Sequence, residues 1–113
     1  MNNLIEKVLQ WGIDKNITGP NGKGNTVSQA NKMLEEANET SNAVRDYTLP
    51  TPSLFEREEI LQEIKDGIGD TCVTLILLAE MYGFTLEECL DHAYQIIAKR
   101  TGKMENGTFV KDQ

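Results

Sequence analysis

Apolar side chains recur three and four residues apart along four stretches of the chain, which is the spacing of an amphipathic helix. The pattern predicts helices over residues 3–14, from Thr26 or Ser28 to 47, over 54–82 and over 86–100. Ser53 with Glu56, and Thr85 with Glu88, have the capping-box spacing that begins a helix. The pattern therefore indicates an all-α protein built as a bundle of about four helices.

Turn-forming residues separate these helices. The segment 16–26 contains three glycines and one proline, a composition that predicts a loop. It is not a phosphate-binding P-loop, because the spacing of its glycines around Lys23 does not match that motif. Pro50 and Pro52 break the chain between the second and third helices, and Gly83 is a natural end for the third.

The C-terminal tail changes character. Asn106-Gly107 lies between Met104 and Phe109, and Asn-Gly between apolar residues is a strong hairpin signal. The flanking strands are too short to stand alone. We therefore expect a short C-terminal β-hairpin, or a loop resembling one, packed on the helices.

The length of 113 residues, with no internal repeat, predicts one domain spanning 1–113. A domain of this size buries only about two thirds of the surface of its unfolded chain. Helices with a wide apolar stripe then need a partner chain to cover them. We expect a homo-oligomer, and the sequence leaves dimer and tetramer open.

Charge and composition exclude several classes of protein. The net charge is −7 and the basic residues are scattered, so nucleic acid is not an expected partner. The longest apolar run, residues 73–79, is too short to cross a membrane. The first residues lack the pattern of a secretory signal, so we expect none. Cys72 and Cys89 fit no zinc pattern and are expected to be reduced, core or half-buried residues. A cytoplasmic protein is predicted.

Acidic residues form two clusters at helical spacing. They are Glu35, Glu36 and Glu39 on the second helix, and Glu63, Asp66 and Asp70 on the third. Glu36 and Glu39 share one face of the second helix, and the three residues of the other cluster share one face of the third. Antiparallel packing would bring the two faces together. Carboxylates beside an apolar segment favour a hard cation such as Mg²⁺, with Mn²⁺ as a substitute. The alternative is two solvated helix faces, because glutamate is a good helix former.

The order of these clusters resembles the MazG-like superfamily of all-α nucleotide pyrophosphohydrolases. The family pattern is EExxE on one helix, here 35–39, and an acidic pair before an apolar run on the next. Segments 83–90 and 99–110 are similar to phage and prophage members. One position departs from the pattern: three residues before Asp70 stands Gly67 and not a glutamate. Asp66 or Glu63 can substitute, or these two are themselves the ExxD pair.

The resemblance implies Mg²⁺-dependent hydrolysis of (deoxy)nucleoside triphosphates between the α and β phosphates, giving the monophosphate and pyrophosphate. The metal ligands would then be Glu36, Glu39, Glu63, Asp66 and Asp70. Glu35 or Glu36 would orient or deprotonate the attacking water. Two other functions stay open: a helical interaction protein without catalysis, and a relative that binds nucleotides without hydrolysing them.

Further residues are weaker candidates for substrate binding. Those for phosphate contacts are Lys32, Lys99, Arg100 and Lys103. The alternative for the Lys99–Arg100 pair is to complement a helix dipole. Trp11 either stacks on a nucleotide base or belongs to the core. His92 has no catalytic partner nearby in the sequence, and we expect it to be structural or solvated.

Overall fold

The computed structural model describes residues 2–50 and 53–113. These residues form four helices and a C-terminal pair of strands: α1 (Asn2–Asp14), α2 (Thr26–Thr48), α3 (Leu54–Met81), α4 (Leu86–Ile97), β1 (Gly102–Glu105) and β2 (Thr108–Lys111). The predicted all-α class, with about four helices and a terminal hairpin, is confirmed. Helix α4 is shorter than predicted, since it ends at Ile97 and not at residue 100. Pro52, one of the two prolines expected to break the chain, lies outside the described residues.

Side-chain caps set the starts of the two long helices. Asn25 caps α2 by accepting a hydrogen bond from the Ser28 backbone N–H at 2.8 Å, so the cap lies one residue before the predicted Thr26. Ser53 caps α3, and its hydroxyl and the Glu56 carboxylate form the predicted capping box. Each such cap satisfies backbone donors that the first helical turn leaves unpaired.

The junction between α3 and α4 is also fixed by backbone and side-chain hydrogen bonds. The predicted stop, Gly83, adopts a positive φ of 78°, and the Phe84 N–H reaches back to the Ala79 carbonyl at 2.9 Å. This is the Schellman arrangement that ends many helices. Thr85 then accepts a hydrogen bond from the Glu88 N–H at 3.0 Å and begins α4.

Helix α3 is the centre of the fold. It packs chiefly along α2, and α1 and α4 each contact it. Helices α2 and α3 run antiparallel, because Gln29 near the start of α2 donates to the Thr74 carbonyl at 3.1 Å, near the end of α3. The buried apolar core is small, and three of its four residues, Ile76, Leu77 and Ala79, come from α3.

The apolar pattern of α2 predicts a packed stripe of Ala30, Met33, Leu34, Ala37 and Val44, of which Ala30, Met33 and Ala37 are half-buried. Leu34 and Val44 are exposed, whereas Ala43 is buried and Glu36 and Thr40 are partly buried. The polar residues therefore lie on the packed face, because α2 turns its small residues toward α3. This orientation of α2 places the Glu36 carboxylate in the interface between the helices.

The two cysteines are a second difference from prediction. Cys72 and Cys89 were expected to be core or half-buried, and both are exposed and free. The reason is that fewer positions of α3 and α4 are packed against other helices than their apolar patterns predict. Helix α4 buries no residue at all.

The terminal hairpin forms as predicted but stands apart from the helices. Its antiparallel register pairs Met104 with Phe109, and Asn106 and Gly107 form the turn with φ values of 49° and 84°. Positive φ at both central residues defines the type I′ turn that Asn-Gly favours. Neither strand packs on a helix within the described residues, so the expectation that the hairpin packs on the helices is wrong.

The chain is more open than a compact domain of its size. Its radius of gyration is 17.1 Å, against about 13 Å for a compact chain of this length. It exposes 8726 Å², whereas a compact 12.7 kDa monomer exposes about 6,200 Å². Large apolar side chains are exposed on all four helices and on the hairpin. Among the described residues, no helix is both long and apolar enough to span a membrane.

Candidate functional site

Five of the six predicted carboxylates line one open cleft between α2 and α3. The cleft has a volume of about 360 Å³, and we call it the carboxylate cleft. Its acidic residues are Glu36, Glu39, Glu63, Asp66 and Asp70. Thr40, Ala43 and Gly67 form the rest of its lining. The structure therefore places every residue predicted as a metal ligand around one cleft.

Helix periodicity and antiparallel packing explain this arrangement. Glu63, Asp66 and Asp70 are three and four residues apart, so they follow one another along a single face of α3. Glu36 and Glu39 hold the corresponding positions on α2. Because the two helices run in opposite directions, the two faces meet over the same turns.

The helices approach most closely where Gly67 faces Thr40. A Cβ atom added at Gly67 would lie 3.0 Å from the Thr40 Cβ and still closer to its hydroxyl oxygen. The Thr40 hydroxyl also donates to the Glu36 backbone carbonyl at 2.8 Å, which fixes its position. A glutamate at position 67 would not fit against Thr40, so the departure from the MazG-like pattern at this position has a steric reason.

Three described glutamates form ion pairs, and Glu36 is the most enclosed of them. Its side chain is 13% exposed and lies 3.3 Å from the Lys32 ammonium. Lys32 also pairs with Glu35 at 3.6 Å, but the Glu35 side chain is 58% exposed and does not line the cleft. The hydrogen bond to Glu36, and then the negative charges of Glu35 and Glu36, raise the pKa of Lys32. Lys32 is thus a fixed positive charge at one edge of the carboxylate cleft.

The donor set of the carboxylate cleft fits a hard divalent cation, because it offers carboxylate oxygens and no nitrogen or sulfur. Within residues 2–50 and 53–113, no three acidic, histidine or cysteine side chains stand close enough to hold a metal ion. Glu39, Glu63, Asp66 and Asp70 are exposed. Holding a metal ion in the cleft would therefore require these exposed side chains to rotate toward one another.

A second groove adjoins the carboxylate cleft through Asp70, which lines both. This groove, about 320 Å³ between α1 and α3, is lined by Leu4, Lys7, Val8, Trp11, Asp70 and Val73. Trp11 is 46% exposed there, so it is not a core residue. Lys7 was not singled out from the sequence. It could have been found from its position four residues before Trp11, which places both side chains on the same face of α1.

The remaining basic candidates lie elsewhere in this chain. Lys99 and Arg100 follow the end of α4, and Lys103 on β1 pairs with Glu105 at 3.4 Å. None of the three lines the carboxylate cleft. His92 is exposed on α4, as expected of a solvated residue.

Comparison with known proteins gives one informative match. No family model and no solved structure matches the chain. The uncharacterized protein YvdC of Bacillus subtilis (strain 168) is 33% identical over 72 residues, which cover 60% of this chain and 68% of that protein. Identity at this level over most of the relative shows common ancestry, and the chain therefore belongs to the same family as the uncharacterized protein YvdC.

Proposed function

We propose that this chain is a Mg²⁺-dependent nucleoside triphosphate pyrophosphohydrolase, the activity that its resemblance to MazG-like proteins implies. The observation that carries the proposal is the carboxylate cleft, in which five acidic side chains from two antiparallel helices face one another. Lys32 pairs with Glu36 alone of these five, so negative charge remains in excess at the cleft. A bound cation would offset the repulsion between these carboxylates.

Glu36, Glu39, Glu63, Asp66 and Asp70 would hold the metal. Bound magnesium would neutralise phosphate oxygens and lower the pKa of a coordinated water. Mn²⁺ has similar ligand preferences and would substitute. Glu36 is a better candidate than Glu35 for orienting or deprotonating that water, since Glu35 lies outside the cleft.

The nucleoside would bind in the groove beside Asp70. Its half-exposed Trp11 offers an aromatic face on which a base can stack. Lys7 in the groove and Lys32 at the edge of the cleft would contact the phosphates between these two positions. We propose deoxynucleoside triphosphates as the substrates. The protein would act in the cytoplasm of a bacterium or phage-infected host, as a homo-oligomer of two or four copies.

The test is pyrophosphate release from a panel of ribo- and deoxynucleoside triphosphates, with and without Mg²⁺. Release should require the metal and should fall by at least about 100-fold in Glu36→Gln, Glu39→Gln and Asp70→Asn. Glu58→Gln is the matched control, because Glu58 is an exposed carboxylate of α3 outside the cleft. Circular dichroism confirms that each variant keeps its helix content.

Two results would contradict the proposal in different ways. If the wild type releases no pyrophosphate from any nucleotide and binds none, the acidic faces are surfaces of an interaction protein. If it binds nucleotide with Mg²⁺ but releases nothing, the chain is a binding-only relative.

A further inference from the structure

A further concave surface lies at the opposite end of α3 from the turn that joins it to α2. It is a groove of about 280 Å³ between the first turns of α1, the end of α3 and the start of α4, which we call the α4 groove. Its apolar walls include Ile5, Leu9, Phe84 and Leu86. Glu6, Glu80 and Glu87 also line it, and all three are exposed. The groove is thus apolar inside and negative at its rim.

The C-terminal hairpin has the complementary character. Side chains alternate between the two faces of a strand pair, so the register places Met104, Phe109 and Lys111 on one face. On that face Met104 is 66% exposed and Phe109 is 50% exposed. Lys103 lies on the other face, where it pairs with Glu105. The first face therefore combines two exposed apolar side chains with one positive charge.

The hairpin does not reach the α4 groove of its own chain. The groove is at the first turn of α4, whereas the hairpin follows its last turn. Helix α4 has 12 residues, so the two ends are about 18 Å apart. No helix contacts the hairpin within the described residues. In this arrangement the groove is open to the hairpin of another molecule.

The exposed area is large enough for such an association. The chain exposes about 2,500 Å² more than a compact monomer of its mass. Stable interfaces of standard size bury about 1,200–2,000 Å² in total from both partners. Because each copy carries both a hairpin and a groove, a two-fold pair would form the same contact twice.

We propose that the hairpin of one copy docks in the α4 groove of a second copy. Phe109 and Met104 would fill the apolar interior, and Lys111 would pair with the carboxylates at the rim. The inference is independent of the proposed catalytic function, since none of these residues lines the carboxylate cleft.

Charge reversal at the two sides of this contact provides the test, with association of the full chain measured by sedimentation equilibrium. Lys111→Glu should weaken self-association by at least about tenfold, because like charges would face each other at both contacts of the pair. The double variant Glu6→Lys, Glu87→Lys should do the same. Lys103→Glu is the matched control on the opposite face of the hairpin and should leave association unchanged.

An equimolar mixture of the Lys111→Glu chain with the Glu6→Lys, Glu87→Lys chain is the decisive sample. Each contact in a mixed pair would again join opposite charges, so association should return to nearly the wild-type strength. The proposal is overturned if the wild type is monomeric at every concentration, or if Lys103→Glu and Lys111→Glu act equally. It is also overturned if the mixture associates no better than its components.

Discussion

Gly67 of α3 packs directly against Thr40 of α2, at the floor of the carboxylate cleft. Gly67 is buried although it lies in the middle of a 28-residue helix. Glycine lowers helix stability by about 1 kcal/mol relative to alanine at such a position. The contact with Thr40 explains why it is there, because any side chain would separate the two helices that carry the carboxylates.

Gly67→Ala should therefore destabilise the protein in spite of alanine's higher helix propensity. Overpacking of a close contact costs about 1–3 kcal/mol, which exceeds the gain in propensity. The measurement is the free energy of unfolding in urea. Thr40→Ala in the same chain should recover part of the loss, since it removes the hydroxyl that lies nearest to the new methyl group.

Gly69→Ala is the matched control for this prediction. Gly69 lies two residues away on the same helix, and no atom lies within 4 Å of a Cβ built there. Alanine at this position should stabilise the protein by about 0.5–1 kcal/mol. If Gly67→Ala and Gly69→Ala shift stability in the same direction, the close approach at Thr40 is not the reason for Gly67.

The α2–α3 turn depends on Arg57. Its guanidinium donates to the carbonyls of Tyr47 and Leu49, each at 2.7 Å, and lies 5.6 Å from the centre of the Tyr47 ring. These bonds satisfy carbonyls at the end of α2 that the helix leaves unpaired. Arg57 thus ties the start of α3 to the end of α2 and helps to set the register of the two acidic faces.

Arg57→Met should lower the free energy of unfolding by about 1.5–3 kcal/mol, the range for hydrogen bonds to a charged group. Arg57→Lys should recover little, because an ammonium does not present two parallel donors. Arg45→Met, at an exposed position in the last turn of α2, is the control. Equal losses for the Arg45 and Arg57 variants would assign the effect to net charge and not to the turn.

Helical periodicity was enough to predict the four helices and the acidic residues that share a face. Spacing of three and four residues determines which side of a helix a residue occupies, so Glu63, Asp66 and Asp70 could be grouped without a structure. The Asn106-Gly107 turn was predictable for a similarly local reason, since both residues adopt the positive φ that the turn requires.

Tertiary packing was not predictable in the same way. The apolar pattern of α2 pointed to Leu34 and Val44, but the side that packs is set by the small residues opposite Gly67. Tertiary packing also determines that Cys72 and Cys89 are exposed, and that the hairpin contacts no helix among the described residues. An apolar pattern predicts that a surface is covered. It does not show whether the covering surface belongs to the same chain or to another.

Magnesium should stabilise the fold itself. The five carboxylates of the cleft repel one another, and a ligand that binds only the folded state adds about 2.7 kcal/mol at a concentration 100 times its dissociation constant. Unfolding in urea should therefore shift to higher urea with MgCl₂. Glu39→Gln should raise stability without metal, because it removes one repelling charge, and should reduce the gain with metal.

Ionic strength is the control for this measurement. NaCl also screens repulsion between exposed carboxylates, so its concentration must be chosen to give the same ionic strength as the MgCl₂. If NaCl stabilises the wild type as much as MgCl₂ does, the cleft gathers charge without binding a divalent cation.

Lys32 should oppose metal binding and favour substrate binding, which makes its replacement informative. Its ammonium lies 3.3 Å from Glu36 and occupies the carboxylate that a metal would need. Lys32→Met frees this carboxylate and should tighten Mn²⁺ binding without nucleotide, by up to about fivefold. The same change should raise the KM for the nucleoside triphosphate, because a positive charge beside the phosphates is lost.

Calorimetric titration with Mn²⁺ and steady-state kinetics measure these two effects separately. Lys15→Met is the control, since Lys15 is an exposed lysine after α1 that does not line the cleft. A loss of Mn²⁺ affinity in Lys32→Met would mean that Lys32 holds Glu36 in place as a ligand. A change in Mn²⁺ affinity with no change in KM would leave Lys32 a neighbour of the metal site with no contact to substrate.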